Sequence, residues 1–361
     1  MQSKITSMKT EIYMLVLFLL GSNSAIGISW GVGQDNWISI ILALGFGSIF
    51  ILMYARINSL FPEKNLYDIT ESIFGKIIGK IITVLIIVYA IYLSTIVIKL
   101  ISEFIKIVNL VETPVIPIMI LLVIAAAYLT FSGINTLKKW STFVFPIYFL
   151  ILMYILIASM SEMKCTNLLP IFEHSIIDIV KASLKILSTT FAGTILFLTF
   201  EDFIRSRKNP YMIYFWGVFI AMLILISIFL ISAMVLGIPM LESSYFPIYT
   251  VARLISIGDF LSRIEMIIFF NFLLACIAKI SICLSAAVKG VKCLFDNRNE
   301  GLILFILSIS VLVISILGFN SIMDLLNFLD FYQIYILFFQ ILIPAMIWVG
   351  AELKVSKIKR G

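Results

Sequence analysis

The sequence predicts an all-α membrane protein with ten transmembrane helices, forming one integral membrane domain over residues 1–361. Apolar residues make up 62% of the chain and charged residues 13%, whereas soluble domains are about half apolar and a quarter charged. The apolar residues form continuous stretches of about 20 residues, the length that an α-helix needs to cross a bilayer. They do not alternate with polar residues as in a β-barrel strand. Together these patterns exclude a water-soluble domain.

Ten apolar stretches, numbered here as spans 1 to 10, are separated by loops that carry most of the charged residues. They cover residues 11–31, 38–57, 80–104, 114–132, 141–160, 184–203, 212–237, 264–288, 301–318 and 331–350. With the N-terminus in the cytoplasm, 18 of the 26 Lys and Arg residues fall on the cytoplasmic side and 7 on the outer side, as the positive-inside rule requires. Both termini are therefore expected in the cytoplasm. The net charge of +6 reflects this topology, and no nucleic-acid partner is expected.

The first span has a competing interpretation as a signal peptide. Lys4 and Lys9 precede the short apolar run 12–20, and small residues follow it, as in a secretory signal. Apolar sequence resumes after these small residues, however, and removal of the segment would leave nine spans and weaken the charge bias. A retained transmembrane span is the favoured interpretation.

The spans divide into two halves of five. The first half covers residues 1–161, an amphipathic outer linker covers 162–183, the second half covers 184–351, and a basic cytoplasmic tail covers 352–361. Because each half has an odd number of spans, the halves enter the membrane in opposite orientations, as inverted repeats do. The sequence thus predicts a five-plus-five inverted-repeat architecture.

Small and hydroxyl residues interrupt the first span of each half. In span 1 they are Gly21, Ser22, Asn23 and Ser24. In span 6 they are Thr189, Thr190, Phe191, Gly193 and Thr194. Lipid cannot satisfy backbone polar groups at this depth, and matched breaks in spans 1 and 6 are typical of the binding site in a LeuT-like transporter fold. The alternative is that Gly21 and Gly193 are only helix-packing contacts.

Helix-end electrostatics suggest what such a site would bind. Each new helix end carries roughly half a unit charge, so the two breaks suit a small zwitterion such as an amino acid. The broken segments are therefore expected to bind the ligand. Tyr89, Tyr92 and Thr95 of span 3 are candidate walls, and Tyr92 is included in the predicted ligand-binding set.

Lys279 lies about midway along span 8. An unpaired charge at that depth costs at least ~2.5 kcal/mol, so its side chain is expected to face the bundle interior. There its ammonium would replace a bound cation and tether the carbonyl groups of broken helix 1. We expect Lys279→Ala to disrupt folding or response, without rescue by sodium. The alternative is a lysine that snorkels to the cytoplasmic surface.

The remaining polar residues give weaker indications. Glu201 and Asp202 end span 6, where they would either gate the inner mouth or pair with the basic loop 205–208. The single histidine, His174, is interpreted as a solvated loop residue, and the four cysteines lack metal-ligand spacing. Nucleotide motifs and a nucleophile–base pair are not recognisable in the sequence. The sequence therefore predicts neither an enzyme nor a bound cofactor or metal.

Three segments resemble one known family. Residues 244–265 (SYFPIYTVARLISIGDFLSRIE) resemble the outer loop before span 8 in B subunits of GerA-type spore germination receptors, while 35–39 (DNWIS) and 167–170 (NLLP) are similar to shorter segments of the same family. The likeness in span number and loop length extends over roughly residues 8–355. This family belongs to the amino acid–polyamine–organocation transporter superfamily.

The resemblance implies a nutrient sensor in the inner membrane of a bacterial endospore. Such a subunit would be surrounded by lipid and would work with a membrane A subunit and a lipoprotein C subunit. Two functions stay open: a receptor subunit whose partners read a ligand-driven conformational change, and a permease that moves an amino acid with a coupled ion. The lack of a titratable relay within the spans favours the receptor, because proton-coupled pumps use such relays.

Overall fold

Helices account for all the regular structure in the part of the chain that the computed structural model describes. That part comprises residues 8–24, 31–62, 64–108, 112–201, 203, 209–255, 264–295 and 299–360. The α-helices are α1 (Met8–Asn23), α2 (Asn36–Leu60), α3 (Leu66–Val108), α4 (Val115–Phe131), α5 (Ile134–Ala158), α6 (Ile176–Ile186), α7 (Pro210–Leu236), α8 (Ile238–Ser243), α9 (Pro247–Leu254), α10 (Ile264–Phe295), α11 (Glu300–Gly318), α12 (Ile322–Leu337) and α13 (Ile343–Arg360).

Within these residues, eight helical stretches are long and apolar enough to cross a membrane, which is consistent with a multi-pass membrane protein. The other two predicted spans correspond to α4, with 17 residues, and to α1, with 16. Residues 25–30, which would extend span 1, lie outside the described part of the chain. The count of ten spans therefore stays a prediction.

Helix α1 lies at the centre of the bundle. It packs against α5, α7 and α10, and its side chains from Met14 to Asn23 are all buried. By contrast, α4 and α11 expose large apolar side chains such as Leu121 and Leu317, as expected for helices that face lipid. The polar residues at the end of α1 are thus enclosed by protein.

Helix α3 is longer than the predicted span 80–104 and consists of two helical pieces that meet at Gly75. Gly75 has φ +81°, a conformation that only glycine adopts readily. A side chain at Gly79 would lie 2.7 Å from the Glu71 Cα, so the short first piece approaches the second closely. The early start escaped prediction because Lys76 and Lys80 interrupt the apolar pattern.

The second predicted break is a change of helical geometry. Helix α6 begins within the predicted linker, where Ser175 caps it by accepting a hydrogen bond from the Asp178 N–H. It continues into a turn of π-helix, Leu187–Phe191, called here the first π turn, and then into a 3-10 helix, Ala192–Thr199. π turns of this kind are frequent at functional sites.

The last predicted span, 331–350, corresponds to an apolar stretch at Tyr335–Ser356. This stretch joins α12 to α13 through a second π turn, Phe338–Leu342. Both π turns contribute residues to the interior of the bundle.

The loop that precedes α6 is tied to the start of α2. The buried Asp35 carboxylate accepts hydrogen bonds from the backbone N–H of Phe172 at 2.7 Å and of His174 at 3.0 Å. The His174 Nδ1 lies 3.2 Å from the same carboxylate. The sequence analysis interpreted His174 as a solvated loop residue. That interpretation is wrong, because His174 belongs to a hydrogen-bonded contact between this loop and the start of α2.

Candidate functional site

A closed cavity of about 40 Å³ lies where α1 ends, between the first and second π turns and against α3, α10 and α12. Its polar lining consists of Ser22, Asn23, Ser188, Thr189, Thr190, Lys279 and Gln340. Its apolar lining includes Phe18, Leu93, Ile96, Leu100, Leu329 and Ile336. On the scale in which 10–15 Å³ of such space holds one water molecule, it has room for only a few waters.

The structure brings together both predicted breaks at this cavity. Ser22 and Asn23 from the first break face Thr189, Thr190 and Gly193 from the second. The Asn23 side chain links the two directly, since its Nδ2 donates to the Thr189 carbonyl at 3.4 Å as well as to the Leu19 carbonyl at 2.8 Å. Two residues 166 positions apart in sequence thus line one site.

Other members of the predicted set do not line the cavity. The Ser24 hydroxyl donates to the Leu20 carbonyl at 2.8 Å and the Thr194 hydroxyl to the Phe191 carbonyl at 2.9 Å, so both are used within their own helices. Phe191 is fully buried and lies beside Gly47 of α2.

Gly21 is a packing contact between α1 and α10. A Cβ at this position would lie 3.1 Å from the Ala275 carbonyl oxygen and 3.1 Å from the Lys279 Cβ. The Gly21 carbonyl accepts a hydrogen bond from the Cys276 thiol at 3.1 Å. The geometry matches the helix-packing alternative for Gly21, whereas Gly193 lines the cavity, and a Cβ at Gly193 would lie 3.3 Å from the Phe18 ring.

Tyr89 rather than Tyr92 contributes the aromatic wall from α3. The Tyr92 ring packs against Phe328 of α12, with 5.6 Å between ring centres, and does not line the cavity. Tyr89 lines it together with Leu93, Ile96 and Leu100, whose spacing of three or four residues places them on one face of the helix.

Lys279 is only 2% exposed, so it does not snorkel to the membrane surface. Its ammonium donates to the Ser22 hydroxyl at 2.7 Å and lies 5.3 Å from the centre of the Phe18 ring. The expected contact between Lys279 and helix 1 is present, but the acceptor here is a hydroxyl rather than a backbone carbonyl. Lys279 also lines the cavity, which places a positive charge in its wall.

Gln340 of the second π turn is a cavity residue that the sequence interpretation missed. Its Nε2 donates to the Tyr89 hydroxyl at 3.0 Å and to the Ser188 carbonyl at 2.9 Å, which joins three elements. Among the described residues, its Oε1 and the Thr190 Oγ1 have no hydrogen-bond partner although both are buried. A glutamine within an apolar span, one of two in span 10 together with Gln333, was the signal available in the sequence.

A sequence profile described as spore germination protein matches residues 4–347 of this chain. The chain belongs to this family. Spore germination protein KB of Bacillus subtilis (strain 168) is 23% identical over 366 residues, covering 100% of this chain and 98% of its own length. Spore germination protein XB of Bacillus anthracis is 24% identical over 327 residues, covering 89% and 91% respectively. The family is a receptor- and permease-like class, not a class of enzymes.

The fold of this spore germination protein matches a solved structure. The crystal structure of MhsT in complex with L-phenylalanine superposes with a TM-score of 0.74 at 14% identity, covering 96% of this chain and 89% of that chain. The germination protein therefore has a LeuT-like fold, as predicted from the sequence.

Two ion pairs in the germination protein lie away from the cavity. At the end of the 3-10 helix, Glu201 pairs with Lys289 of α10 at 3.0 Å and accepts from the Asn65 amide at 3.3 Å. Burial alone would raise the pKa of Glu201, but the Lys289 ammonium and these hydrogen bonds outweigh it and hold the pKa below its ordinary value. Asp202, the other predicted gate residue, lies outside the described residues.

The second pair is fully buried and was not expected from the sequence. The Lys138 ammonium of α5 lies 3.4 Å from the Glu11 carboxylate of α1 and donates to the Phe203 carbonyl at 3.2 Å. This contact fixes the N-terminal part of α1 to α5 and to the segment that follows the 3-10 helix.

Proposed function

We propose that this protein is the B-type subunit of a spore germinant receptor, which binds a small nutrient, an amino acid, in the closed cavity and signals through partner subunits. The observation that carries the proposal is a pair of buried atoms, Thr190 Oγ1 and Gln340 Oε1, that have no hydrogen-bond partner among the described residues. Both belong to a cavity lined by residues of the two predicted breaks. Buried polar atoms are normally hydrogen-bonded, so these two are suited to a ligand. MhsT, which shares the fold, was solved with L-phenylalanine.

The size of the cavity supports a sensing mechanism. Ligand pockets usually measure ~300–1,000 Å³, whereas this one measures about 40 Å³. An amino acid must therefore bind a wider conformation of the site. A ligand that binds only the wider state shifts the equilibrium toward it, and neighbouring subunits can respond to that shift.

The finer architecture belongs to the same proposal. Ten spans in two inverted halves, with helices 1 and 6 broken and both termini in the cytoplasm, would place the cavity midway across the membrane. The subunit would reside in the inner membrane of the endospore, in contact with lipid, a membrane A subunit and a lipoprotein C subunit. The Glu201–Lys289 pair would close the inner mouth, as expected for the predicted gate at Glu201 and Asp202.

A second candidate is a working amino acid permease coupled to an ion gradient. The LeuT-like fold favours it, because this is a transporter fold. A permease and a receptor need the same cavity and differ in whether the ligand crosses the membrane.

Uptake and germination assays separate the two. The full chain in proteoliposomes is given radiolabelled amino acids under a sodium or proton gradient, and accumulation inside the vesicles is measured. The receptor proposal predicts saturable binding without accumulation; accumulation against a gradient would support the permease. Spores that lack the gene should lose germination to at least one nutrient, and an unchanged response to every nutrient would contradict both candidates.

A further inference from the structure

We infer that the cavity accepts an apolar α-amino acid, whose carboxylate pairs with the Lys279 ammonium and whose ammonium group hydrogen-bonds to Gln340 Oε1. This inference rests on the proposed function and specifies the ligand class of the same site. It assigns Lys279 a role beyond a tether for helix 1.

The first argument is the charge of Lys279. Other buried lysines in the described part of the chain lie next to carboxylates, as in the pairs Lys99–Glu103 at 2.8 Å and Lys138–Glu11 at 3.4 Å. Within the described part of the chain, the polar and aromatic contacts of the Lys279 ammonium are the Ser22 hydroxyl and the Phe18 ring, and neither carries a negative charge. Because a buried charge is stable only when it is compensated, an anionic group in the cavity would stabilise this ammonium.

The second argument is the orientation of the Gln340 amide. Both hydrogens of its Nε2 have acceptors, the Tyr89 hydroxyl and the Ser188 carbonyl. A carbonyl only accepts hydrogen bonds, so the amide nitrogen must face Ser188. Gln340 Oε1 is therefore left as a buried acceptor without a donor among the described residues, and the ammonium group of an amino acid would supply one. The Thr190 hydroxyl, also without a partner, offers a second acceptor.

The third argument is the apolar part of the lining. Leu93, Ile96 and Leu100 of α3 and Leu329 and Ile336 of α12 carry no polar side-chain atoms. The hydroxyl groups of a sugar or nucleoside would be buried against them without hydrogen bonds, which is unfavourable. An aliphatic or aromatic side chain would be favoured there. Acceptor, ammonium and apolar wall together match one ligand class, the apolar amino acids.

The test measures equilibrium binding to the full chain in lipid nanodiscs. Tritiated L-leucine, L-valine and L-phenylalanine are the first probes, and tritiated glucose and inosine represent the other nutrient classes. Two competitors test the two contacts separately. L-leucinamide lacks the carboxylate and tests the contact with Lys279, whereas 4-methylpentanoate lacks the ammonium group and tests the contact with Gln340. We expect each analogue to bind about tenfold to hundredfold more weakly than L-leucine, as for the loss of a charge-assisted hydrogen bond.

Variants assign these losses to residues. Lys279→Met should weaken L-leucine about tenfold or more but leave L-leucinamide unchanged, and Lys279→Arg should restore part of the affinity. Gln340→Met should remove the preference for L-leucine over 4-methylpentanoate. Ser308→Ala is the matched control. Ser308 Oγ is also buried without a partner in the described residues, but Ser308 does not line this cavity. The Ser308→Ala variant should bind L-leucine as tightly as the unmodified protein does.

The outcomes separate the inference from the proposed function. If the unmodified protein binds glucose or inosine instead of the amino acids, or binds L-leucinamide as tightly as L-leucine, the inference is wrong while nutrient binding stands. If no probe binds, the proposed function fails as well. The comparison of analogues needs only the unmodified protein, so it decides the question even if a Lys279 variant does not fold.

Discussion

Gly21 determines how closely α1 approaches α10. Its missing side chain leaves space for the Lys279 methylene groups and for the Ala275 carbonyl, each about 3.1 Å from where a Cβ would lie. This close approach brings the Lys279 ammonium within hydrogen-bond distance of Ser22. One glycine thus positions the charged wall of the cavity.

Replacing Gly21 with leucine should lower the free energy of unfolding by about 1–3 kcal/mol, the usual cost of overpacking. Gly45→Leu in α2 is the matched control, because nothing lies within 4 Å of a Cβ at that exposed helical position. Thermal unfolding of purified protein, followed by intrinsic fluorescence, would check this. Equal unfolding midpoints for the two variants would show that α1 and α10 do not touch at Gly21.

The sequence indicated where along each span polar residues occur, but not which of them face the cavity. Ser22, Asn23, Thr189, Thr190 and Gly193, which were selected because polar or small residues in apolar spans are conspicuous, line the cavity. Ser24, Thr194 and Tyr92 were included for the same reason, yet they point elsewhere. Which side of a helix faces the interior depends on packing with neighbouring helices, and one sequence does not reveal it. Gln340 was missed because two glutamines seven residues apart in span 10 do not resemble the runs of small and hydroxyl residues in spans 1 and 6.

At the scale of elements, the sequence predicted where span 6 changes but not the form of the change. Helix α1 continues through Gly21 and Ser22 to Asn23, and residues 25–30 lie outside the described part of the chain. The small residues around Gly193 indicated a break in the helix. The chain instead stays helical there and passes from α-helix through a π turn to a 3-10 helix. A π turn adds one residue to a helical turn and depends on tertiary contacts, here the hydrogen bond from Gln340 to the Ser188 carbonyl. Span boundaries were also inexact where charged residues occur within a helix, as in α3.

The buried Glu11–Lys138 pair between α1 and α5 should be strongly coupled. Lys138→Met leaves a carboxylate in the protein interior and should destabilise by about 3–5 kcal/mol. Adding Glu11→Gln should recover much of that loss, which a double-mutant cycle of unfolding midpoints would detect. Lys181→Met, which breaks an exposed pair with Asp178, should change stability by less than about 1 kcal/mol. Additive effects at Glu11 and Lys138 would contradict the coupling.

The Glu201–Lys289 pair should make stability depend on pH. Since the pKa of Glu201 in the folded protein lies below its ordinary value of 4.5, the pair stabilises the fold above that pH and the effect is lost as the pH falls through the folded pKa. The contribution should be below about 1 kcal/mol, because the side chain is partly exposed to solvent.

Unfolding midpoints at pH 7 and pH 4 would measure this contribution. The unmodified protein should lose more stability between the two pH values than Glu201→Gln does. In a Lys289→Met background, the Glu201→Gln substitution should no longer reduce the stability lost between pH 7 and pH 4. If it still reduces that loss, the pH dependence comes from groups other than the Glu201–Lys289 pair.

For the whole molecule, the cysteines offer a test of topology. Cys165 and Cys293 are exposed, while Cys276 and Cys283 are buried in α10. The predicted ten-span arrangement places Cys165 in an outer loop and Cys293 at the cytoplasmic side.

A membrane-impermeant maleimide added to intact cells should therefore label Cys165 but not Cys293, and a permeant maleimide should label both. The variants Cys165→Ser and Cys293→Ser identify the labelled residue by mass spectrometry. Labelling of both residues from outside would place them on the same side of the membrane and exclude the inverted arrangement of the two halves.

The small volume of the closed cavity also has a kinetic consequence. A ligand larger than a few water molecules can enter only during an opening event, so its observed association rate should level off at the opening rate as its concentration rises. The apparent affinity is reduced by the fraction of protein that is open, and a 1% open population weakens it about a hundredfold. A substitution that favours the open state would then lower the nutrient concentration needed for a response without altering any contact with the ligand.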